Sequence, residues 1–149
     1  MIRTATETDL EFVRELFREY QSGLGIDLCF QDFETELAEL PGVYSPPEGN
    51  LWIHEGGVVA VKPLKDEGIR TCEMKRLYVR PEFRGTGLGR KLAKTTIEWA
   101  RATGYARIKL DTLSRLEPAV RLYRSLGFVE TKSYNFNPEN DVLYFQLDL

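Results

Sequence analysis

Residues 77–91 read LYVRPEFRGTGLGRK, and this stretch determines more of the fold than any other part of the chain. Strand-forming residues come first, and glycines then occupy the alternate positions 85, 87 and 89. Glycine accepts positive φ and lets the backbone approach a ligand closely. The stretch therefore predicts a strand, a glycine-rich turn and the first turn of a helix.

The predicted turn is suited to bind a phosphate or a pyrophosphate. Successive backbone N–H groups converge at such a turn, and the dipole of the following helix favours negative charge there. Arg84 and Arg90 flank the turn and can add charge-assisted hydrogen bonds. A P-loop and the dinucleotide pattern GxGxxG are disfavoured, because each would need glycine where Arg90 stands.

Hydrophobic periodicity on both sides of this stretch predicts one domain over residues 1–149. Its element order is β-α-α-β-β-β-α-β-α-β-β, an α+β or mixed α/β fold around a central sheet. The first helix follows a cap at Thr6 or Thr8, and the second extends from Asp32 towards Leu40. The strands are expected at 2–5, 51–54, 58–64, 71–79, 107–112, 128–133 and 142–149, and the later helices at 88–103 and 116–126.

The composition and charge of the chain argue against some classes of binding partner. The chain has 42% hydrophobic and 29% charged residues and a formal net charge of −3, which argues against a nucleic-acid partner. No apolar signal core or long apolar window is present, so we expect no membrane partner and a cytoplasmic protein. Cys29 and Cys72 are expected to be reduced, buried thiols, and the single histidine, His54, argues against a His/Cys metal site.

Two motifs together point to a known family. The glycine stretch contains R-x-x-G-x-G, from Arg84 through Gly87 to Gly89, after L-x-V-x-P, and residues 119–128 read AVRLYRSLGF, which gives A-x-x-L-Y-x-x-x-G-F. With the element order, these motifs resemble the GCN5-related N-acetyltransferase (GNAT) family over nearly the whole chain. The resemblance implies a single-domain GNAT-like fold with a mixed, mostly antiparallel sheet flanked by helices, splayed between its fourth and fifth strands to admit CoA. It also implies that acetyl-CoA is the cosubstrate, without a metal, and that the acceptor is a primary amine of a small molecule or peptide.

The resemblance also assigns roles to residues. The amides of the glycine turn would hold the pyrophosphate, and the strand before the turn would pair with the pantetheine arm. The implied cofactor-binding residues are Leu77, Tyr78, Val79, Arg84, Gly85, Thr86, Gly87, Leu88, Gly89 and Arg90. The Leu77 N–H would donate to the thioester oxygen. Tyr123 would be the general acid for the CoA thiolate, because a phenol is protonated at neutral pH.

Glu73 is the candidate general base. By alternation it shares a strand face with Lys75, Leu77 and Val79, unless a β-bulge intervenes. Some members of the resembled family place a base glutamate here and others move the proton through water, so both routes stay open. Where the family frequently has a CoA-binding asparagine, this chain has Leu116, which implies one missing hydrogen bond to the cofactor.

The acceptor walls would come from the region after the first strand and from the last hairpin. These segments contain Tyr20, Asp27, Phe30, Asp32, Phe33, Glu34, Tyr44, Trp52, Tyr134 and Asn135. Aromatic and acidic residues suit a small amine or a peptide amino terminus, although most of these aromatics are more simply explained as core residues.

Three hypotheses follow from these observations. The first is direct attack of the amine on acetyl-CoA in a ternary complex; an acyl-enzyme route has only Cys72 as a nucleophile, on the opposite strand face from Glu73. The second is a non-catalytic acyl-CoA sensor, and the third is a different nucleotide-binding domain. An exposed final strand could also pair two copies into a homodimer.

Overall fold

The computed structural model describes residues 1–25, 32–66 and 68–149, so Asp27, Cys29 and Phe30 lie outside the described residues. The helices are α1 (Leu10–Leu24), α2 (Phe33–Glu39), α3 (Leu88–Thr103) and α4 (Glu117–Ser125). The strands are β1 (Arg3–Thr4), β2 (Asn50–His54), β3 (Gly57–Leu64), β4 (Thr71–Val79), β5 (Arg107–Leu113), β6 (Val129–Thr131) and β7 (Val142–Asp148). The predicted order of helices and strands is confirmed.

The seven strands form one sheet in the order β1-β2-β3-β4-β5-β7-β6. Every pairing is antiparallel except that of β4 with β5, which confirms the predicted mixed, mostly antiparallel sheet. The last strand, β7, lies between β5 and β6. The expectation of an exposed final strand is therefore wrong, and the edges of the described sheet are β1 and the short β6.

The sheet opens between β4 and β5. These strands pair only over residues 71–73 and 107–109, while β4 continues to Val79 along β3. The splay between the fourth and fifth strands is thus present. In the described part of the chain, residues 74–79 have no strand on the side that faces β5, so their edge is available to an extended ligand.

A β-bulge lies at the start of this opening. Arg76 and Leu77 of β4 stand opposite the single β3 residue Val59, and Arg76 has a φ of +61°. A bulge bends its strand and moves every later side chain to the other face. As a result Leu77 packs in the same core as Cys72, and Tyr78 packs in the opposite core. Alternation from Glu73 therefore does not continue to Leu77.

Helices cover both faces of the sheet. The core beneath α3 and α4 includes Leu92, Ile97, Ile108 and Phe145, and the opposite core joins α1 and α2 to the sheet. In α1 the predicted apolar stripe is buried most deeply at residues 13, 16 and 17. In the described part of the chain, no helix is long and apolar enough to cross a membrane.

Glycines end the helices as their positions predict. Gly104 follows α3 with a φ of +98°, and Gly127 follows α4 with a φ of +99°. The amide of Phe128 donates to the Tyr123 carbonyl at 3.1 Å, so Phe128 caps α4. This cap explains why β6 begins at Val129, one residue later than predicted.

Candidate active site

The glycine turn presents backbone amides at the start of α3. Gly85 and Gly87 have φ values of +79° and +87°, in the left-handed region that favours glycine. The first hydrogen bond of the helix runs from the Lys91 amide to the Gly87 carbonyl at 3.1 Å. No oxygen in the described part of the chain accepts from the amides of residues 85–90. A cluster of open donors at a helix N-terminus is a site for an anion.

Two arginine side chains fix the position of the glycine turn relative to its neighbours. Arg84 Nε donates to the Val79 carbonyl at 3.1 Å, which joins the turn to the end of β4. Arg90 Nη2 donates to Ser125 Oγ at 2.5 Å and links the start of α3 to the end of α4. Both arginines therefore hold the turn between the two elements that border the sheet opening.

A groove of about 380 Å³ runs from this turn along the open edge of β4. Six of the predicted residues line it: Leu77, Tyr78, Val79, Arg84, Gly89 and Tyr123. The other predicted cofactor residues, 85–88 and 90, adjoin Arg84 and Gly89 along the chain, and the Leu88 side chain is buried in the core. Leu116 lines the groove where the resembled family frequently has asparagine.

An inner cavity of about 80 Å³ continues the groove. The two spaces share the residues Tyr20, Leu24, Leu77, Leu116, Ala119 and Tyr123. Beyond Leu77 and Tyr123 the lining becomes charged, with Lys75 and Arg76 from β4 and Asp111 from β5. A long ligand in the groove and a smaller one in the inner cavity would meet beside Tyr123.

Tyr123 is both a core residue and a lining residue. Its ring packs against Phe128 and Phe145, with ring centroids 5.8 and 6.4 Å apart, and the residue is 7% exposed. Burial raises the pKa of Tyr123, so the phenol is protonated at neutral pH. Its hydroxyl makes no hydrogen bond to another described residue, which leaves it able to donate to a ligand.

Glu73 lies apart from this arrangement. The carboxylate is 2% exposed, accepts a hydrogen bond from the Tyr134 hydroxyl at 2.7 Å and lies 3.6 Å from Lys62 Nζ. In the described part of the chain it lines neither the groove nor the inner cavity. The structure does not bring Glu73 together with Tyr123, and its role as a base stays a prediction.

Asp111 is the carboxylate that the sequence analysis missed. It lies on β5 across the opening from β4, and Asn135 Nδ2 donates to Asp111 Oδ2 at 2.9 Å. Tyr144 donates to Asn135 Oδ1 at 3.0 Å and fixes the orientation of the amide. Asp111 follows Arg107 and Lys109 at alternate positions of β5, so no sequence signal set it apart, and only the splay places it in a cavity.

Arg76 was also missed, and its charge is matched within the protein. Its Nε and Nη2 each donate to one oxygen of Glu36 at 2.9 Å, and its side chain is 2% exposed. The guanidinium lies over the rings of Tyr20 and Phe33, with 5.7 and 5.2 Å between its carbon and the ring centroids. This buried pair ties α2 to the bulge in β4.

The other candidates for the acceptor walls divide into four groups. Phe33, Tyr44 and Trp52 are core residues, whereas Tyr20 lines the inner cavity. Asp32 and Glu34 are exposed. Tyr134 and Asn135 act as hydrogen-bond donors to the two carboxylates described above.

Cys72 is not placed for an acyl-enzyme route. The thiol is fully buried in the core beneath α3, and burial raises its pKa to about 12. A thiol in this state is not a nucleophile at neutral pH. Among the described residues, no group of three His, Cys, Asp or Glu side chains is placed to hold a metal ion.

Comparison with known proteins agrees with this geometry. The acetyltransferase (GNAT) family matches residues 10–128. A Schizosaccharomyces pombe protein named as an uncharacterized N-acetyltransferase is 44% identical, over 95% of this chain and 89% of its own length. An acetyltransferase of Streptococcus agalactiae has a TM-score of 0.79 at 24% identity, over 100% of this chain and 98% of its own. A Salmonella typhimurium protein, solved with its cofactor acetyl-CoA, has a TM-score of 0.70 at 24% identity, over 99% of this chain and 92% of its own. The chain belongs to the acetyltransferase (GNAT) family.

Proposed function

We propose that this acetyltransferase moves an acetyl group from acetyl-CoA to a primary amine by direct attack in a ternary complex. The observation that carries the proposal is a groove that has open amides near one end, is lined by Tyr123 and is continuous with an inner cavity. The Salmonella typhimurium protein of similar fold, which was solved with acetyl-CoA, supports the choice of cofactor.

The cofactor would lie along the groove in an extended form. Its diphosphate would accept hydrogen bonds from the amides of residues 85–90, beside Arg84. The amides of the pantetheine arm would pair with residues 77–79, whose edge is not covered by β5. This arrangement would place the thioester near Leu77 and Tyr123, where the groove meets the inner cavity.

The acetyl transfer requires proton or charge movements at the thioester oxygen, the leaving sulfur and the amine nitrogen. The neutral amine nitrogen attacks the thioester carbon, and the Leu77 N–H donates to the oxygen as it gains negative charge. The carbon–sulfur bond then breaks, and the leaving sulfur takes the proton of the Tyr123 hydroxyl. The attacking nitrogen, which is positively charged after the attack, releases one proton to water and becomes the amide nitrogen. The tyrosinate recovers a proton from the solvent after CoA leaves.

The amine must lose a proton before it attacks. The two candidate acceptors are Glu73 and water in the inner cavity. The carboxylate of Glu73 is engaged by Tyr134 and Lys62, and Glu73 does not line the inner cavity. Both observations support the water route. In this mechanism no residue forms a covalent intermediate, in agreement with the raised pKa of Cys72.

A panel of amines tests the proposal. Purified protein with acetyl-CoA is given small amines, amino acids, polyamines and peptides, and released CoA is measured through its free thiol. We expect release that depends on the amine and saturates with it, and an acetylated product of matching mass. If acetyl-CoA binds by calorimetry but no amine accelerates release, the protein is a non-catalytic acyl-CoA sensor and the proposal is wrong.

A further inference from the structure

We propose that Asp111 binds the reacting amine of the acceptor through Oδ1 and takes the proton that this nitrogen loses as it is acetylated. This inference rests on the proposed function and adds the protein group that holds the amine. It starts from the position of Asp111 at the sheet opening and from the hydrogen bonds that fix its side chain.

Asp111 lies at the sheet opening, in the same cavity as the proposed acid. It comes two residues after Lys109, the last residue of β5 that pairs with β4, and it lines the inner cavity together with Tyr123. Burial raises the pKa of Tyr123, and interactions with Tyr20 and Asp111 raise it further. The carboxylate is therefore close enough to interact electrostatically with the hydroxyl that would protonate the leaving sulfur.

Hydrogen bonds from the last hairpin hold the Asp111 side chain. Asn135 Nδ2 donates to Asp111 Oδ2 at 2.9 Å. Tyr144, which stands opposite Asp111 in the register of β5 and β7, donates to Asn135 Oδ1 at 3.0 Å. Because the amide oxygen of Asn135 is occupied in this way, its NH2 group is the part that faces Asp111. The carboxylate is thus oriented before a ligand binds.

The other oxygen of Asp111 is available to a ligand. Among the residues that the structure describes, none forms a hydrogen bond or an ion pair with Oδ1, and a carboxylate can accept about four hydrogen bonds. Glu73 differs, because Tyr134 donates to its Oε2 at 2.7 Å and Lys62 Nζ lies 3.6 Å from its Oε1. Within the described residues, Asp111 is the carboxylate that lines the inner cavity.

This position allows Asp111 to act on the nitrogen during the reaction. The neutral amine would donate one N–H to Oδ1, and its lone pair would be left for the thioester carbon. When the nitrogen–carbon bond forms, the nitrogen becomes positively charged and its remaining N–H bonds become much more acidic. One proton then moves to Oδ1, which leaves the amide nitrogen and a neutral carboxylic acid. The acid returns this proton to water after the product leaves.

Asp111→Asn tests the proposal. Asn135 would donate to the introduced amide oxygen, so the introduced NH2 group would face the amine and could neither accept its N–H nor take its proton. We expect kcat/KM for the most reactive amine of the panel to fall by roughly 100-fold. The dissociation constant of acetyl-CoA, measured by calorimetry, should change by less than about twofold. A fall in kcat/KM of less than about threefold would overturn the proposal.

Two further variants accompany this substitution. Asp148→Asn removes the same charge from the same sheet, at a side chain that is 67% exposed, pairs with Arg107 and lies outside both cavities. It is the matched control and should change neither kcat/KM nor the affinity for acetyl-CoA. Asp111→Ser, which can still accept the hydrogen bond from Asn135, replaces Asp111→Asn if that variant does not fold, and it should show the same fall in kcat/KM.

A series of amines separates proton transfer from a change in the shape of the cavity. Ethylamine and its mono-, di- and trifluoro derivatives differ little in size but become progressively less basic, so the nitrogen formed by the attack releases its proton to water more easily. With rates expressed per concentration of neutral amine, the ratio of kcat/KM between wild type and Asp111→Asn should shrink by roughly 10-fold along the series. An equal ratio for all four amines would overturn proton transfer to Asp111.

Asn135→Ala tests whether Asn135 positions the carboxylate. Alone it should lower kcat/KM by roughly 10-fold, because Asp111 loses the hydrogen bond that orients it. In the Asp111→Asn background it should have an effect of less than about twofold, since two residues that act through one group are not additive. Equal effects in both backgrounds would mean that Asn135 does not act through Asp111.

The outcomes separate this inference from the proposed function. If Asp111→Asn keeps full activity, the role of Asp111 is wrong while the acetyl transfer stands. If the wild-type protein releases no CoA with any amine although acetyl-CoA binds, the proposed function fails and the role of Asp111 fails with it.

Discussion

At the scale of single residues, Tyr123 is both a core residue and the residue that we propose as the general acid. Its ring contributes to the core with Phe128 and Phe145, and the residue also lines both the groove and the inner cavity. Because neighbouring rings fix the side chain, the hydroxyl would be held in place before the cofactor binds. Such preorganisation favours proton transfer to a leaving group.

Tyr123→Phe separates these two contributions. We expect kcat to fall by roughly 100-fold, because the acid is lost. The dissociation constant of acetyl-CoA should change by less than about twofold, since the ring and its packing are kept. Steady-state kinetics and calorimetry measure the two quantities.

Tyr105→Phe is the matched control for that substitution. Tyr105 is also buried, and its hydroxyl donates to the Glu48 carbonyl at 2.6 Å, away from the groove. Loss of this hydrogen bond should lower the free energy of unfolding by about 1 kcal/mol and leave kcat unchanged. If kcat is unchanged in Tyr123→Phe as well, Tyr123 is not the acid.

Glu73→Gln tests whether Glu73 is the general base. The substitution removes the charge that faces Lys62 and weakens the bond from Tyr134, so we expect a loss of about 1–3 kcal/mol in urea unfolding. Because Glu73 does not line the inner cavity, we expect kcat to change by less than about threefold across the pH range. A large fall in kcat that also removes the acidic limb of the pH profile would instead identify Glu73 as the base.

At the scale of elements, the local signals predicted the boundaries well. The bounds of β4 and of α3 agree with the prediction from periodicity and from the glycines at positions 87 and 104. These signals lie within a few residues of the boundary that they fix, so a single sequence contains them. The glycine turn between the two elements was predictable for the same reason.

The bulge in β4 could not be predicted from such signals. It is associated with a pair between Arg76 and Glu36, which lie 40 residues apart in the chain. The placement of Asp111 depends in turn on the splay between β4 and β5. The residues that we propose for the cofactor side of the site were therefore predictable from local sequence, whereas those proposed for the acceptor side depend on contacts between distant segments.

Gly89→Ala tests the cofactor side of the site. A Cβ on Gly89 would lie 3.7 Å from Val79 and 3.8 Å from Leu122, which are ordinary contacts, and Gly89 lines the groove. We expect the melting temperature without ligand to stay the same or rise slightly, because alanine favours a helix. Affinity for acetyl-CoA should fall by roughly 10-fold, since the methyl group would occupy space beside the diphosphate.

Thr95→Ala, within α3 and outside the groove, is a suitable comparison. Thr95 donates only to the Lys91 carbonyl, within the same helix. Differential scanning fluorimetry and calorimetry report stability and affinity separately for both variants. Unchanged affinity in Gly89→Ala would place the diphosphate elsewhere.

At the scale of the whole molecule, the opening divides the sheet into two parts. One part contains β1 to β4, and the other contains β5 to β7 with α4 packed beside it. Direct strand pairing joins them only over residues 71–73 and 107–109. A cofactor in the groove would contact Val79 on one side and Ala119 on the other, and would connect the two parts.

Acetyl-CoA should therefore stabilise the fold as a whole. A ligand that binds only the folded state at 100 times its dissociation constant adds about 2.7 kcal/mol, which corresponds to roughly 5–10 °C in melting temperature for a chain of this size. Free CoA should give a similar shift, because the diphosphate and the pantetheine arm supply most of the contacts. Pantetheine, which lacks the diphosphate, should give a much smaller shift at the same concentration. Equal shifts from pantetheine and acetyl-CoA, or none from acetyl-CoA, would mean that the amides at the start of α3 do not hold the diphosphate.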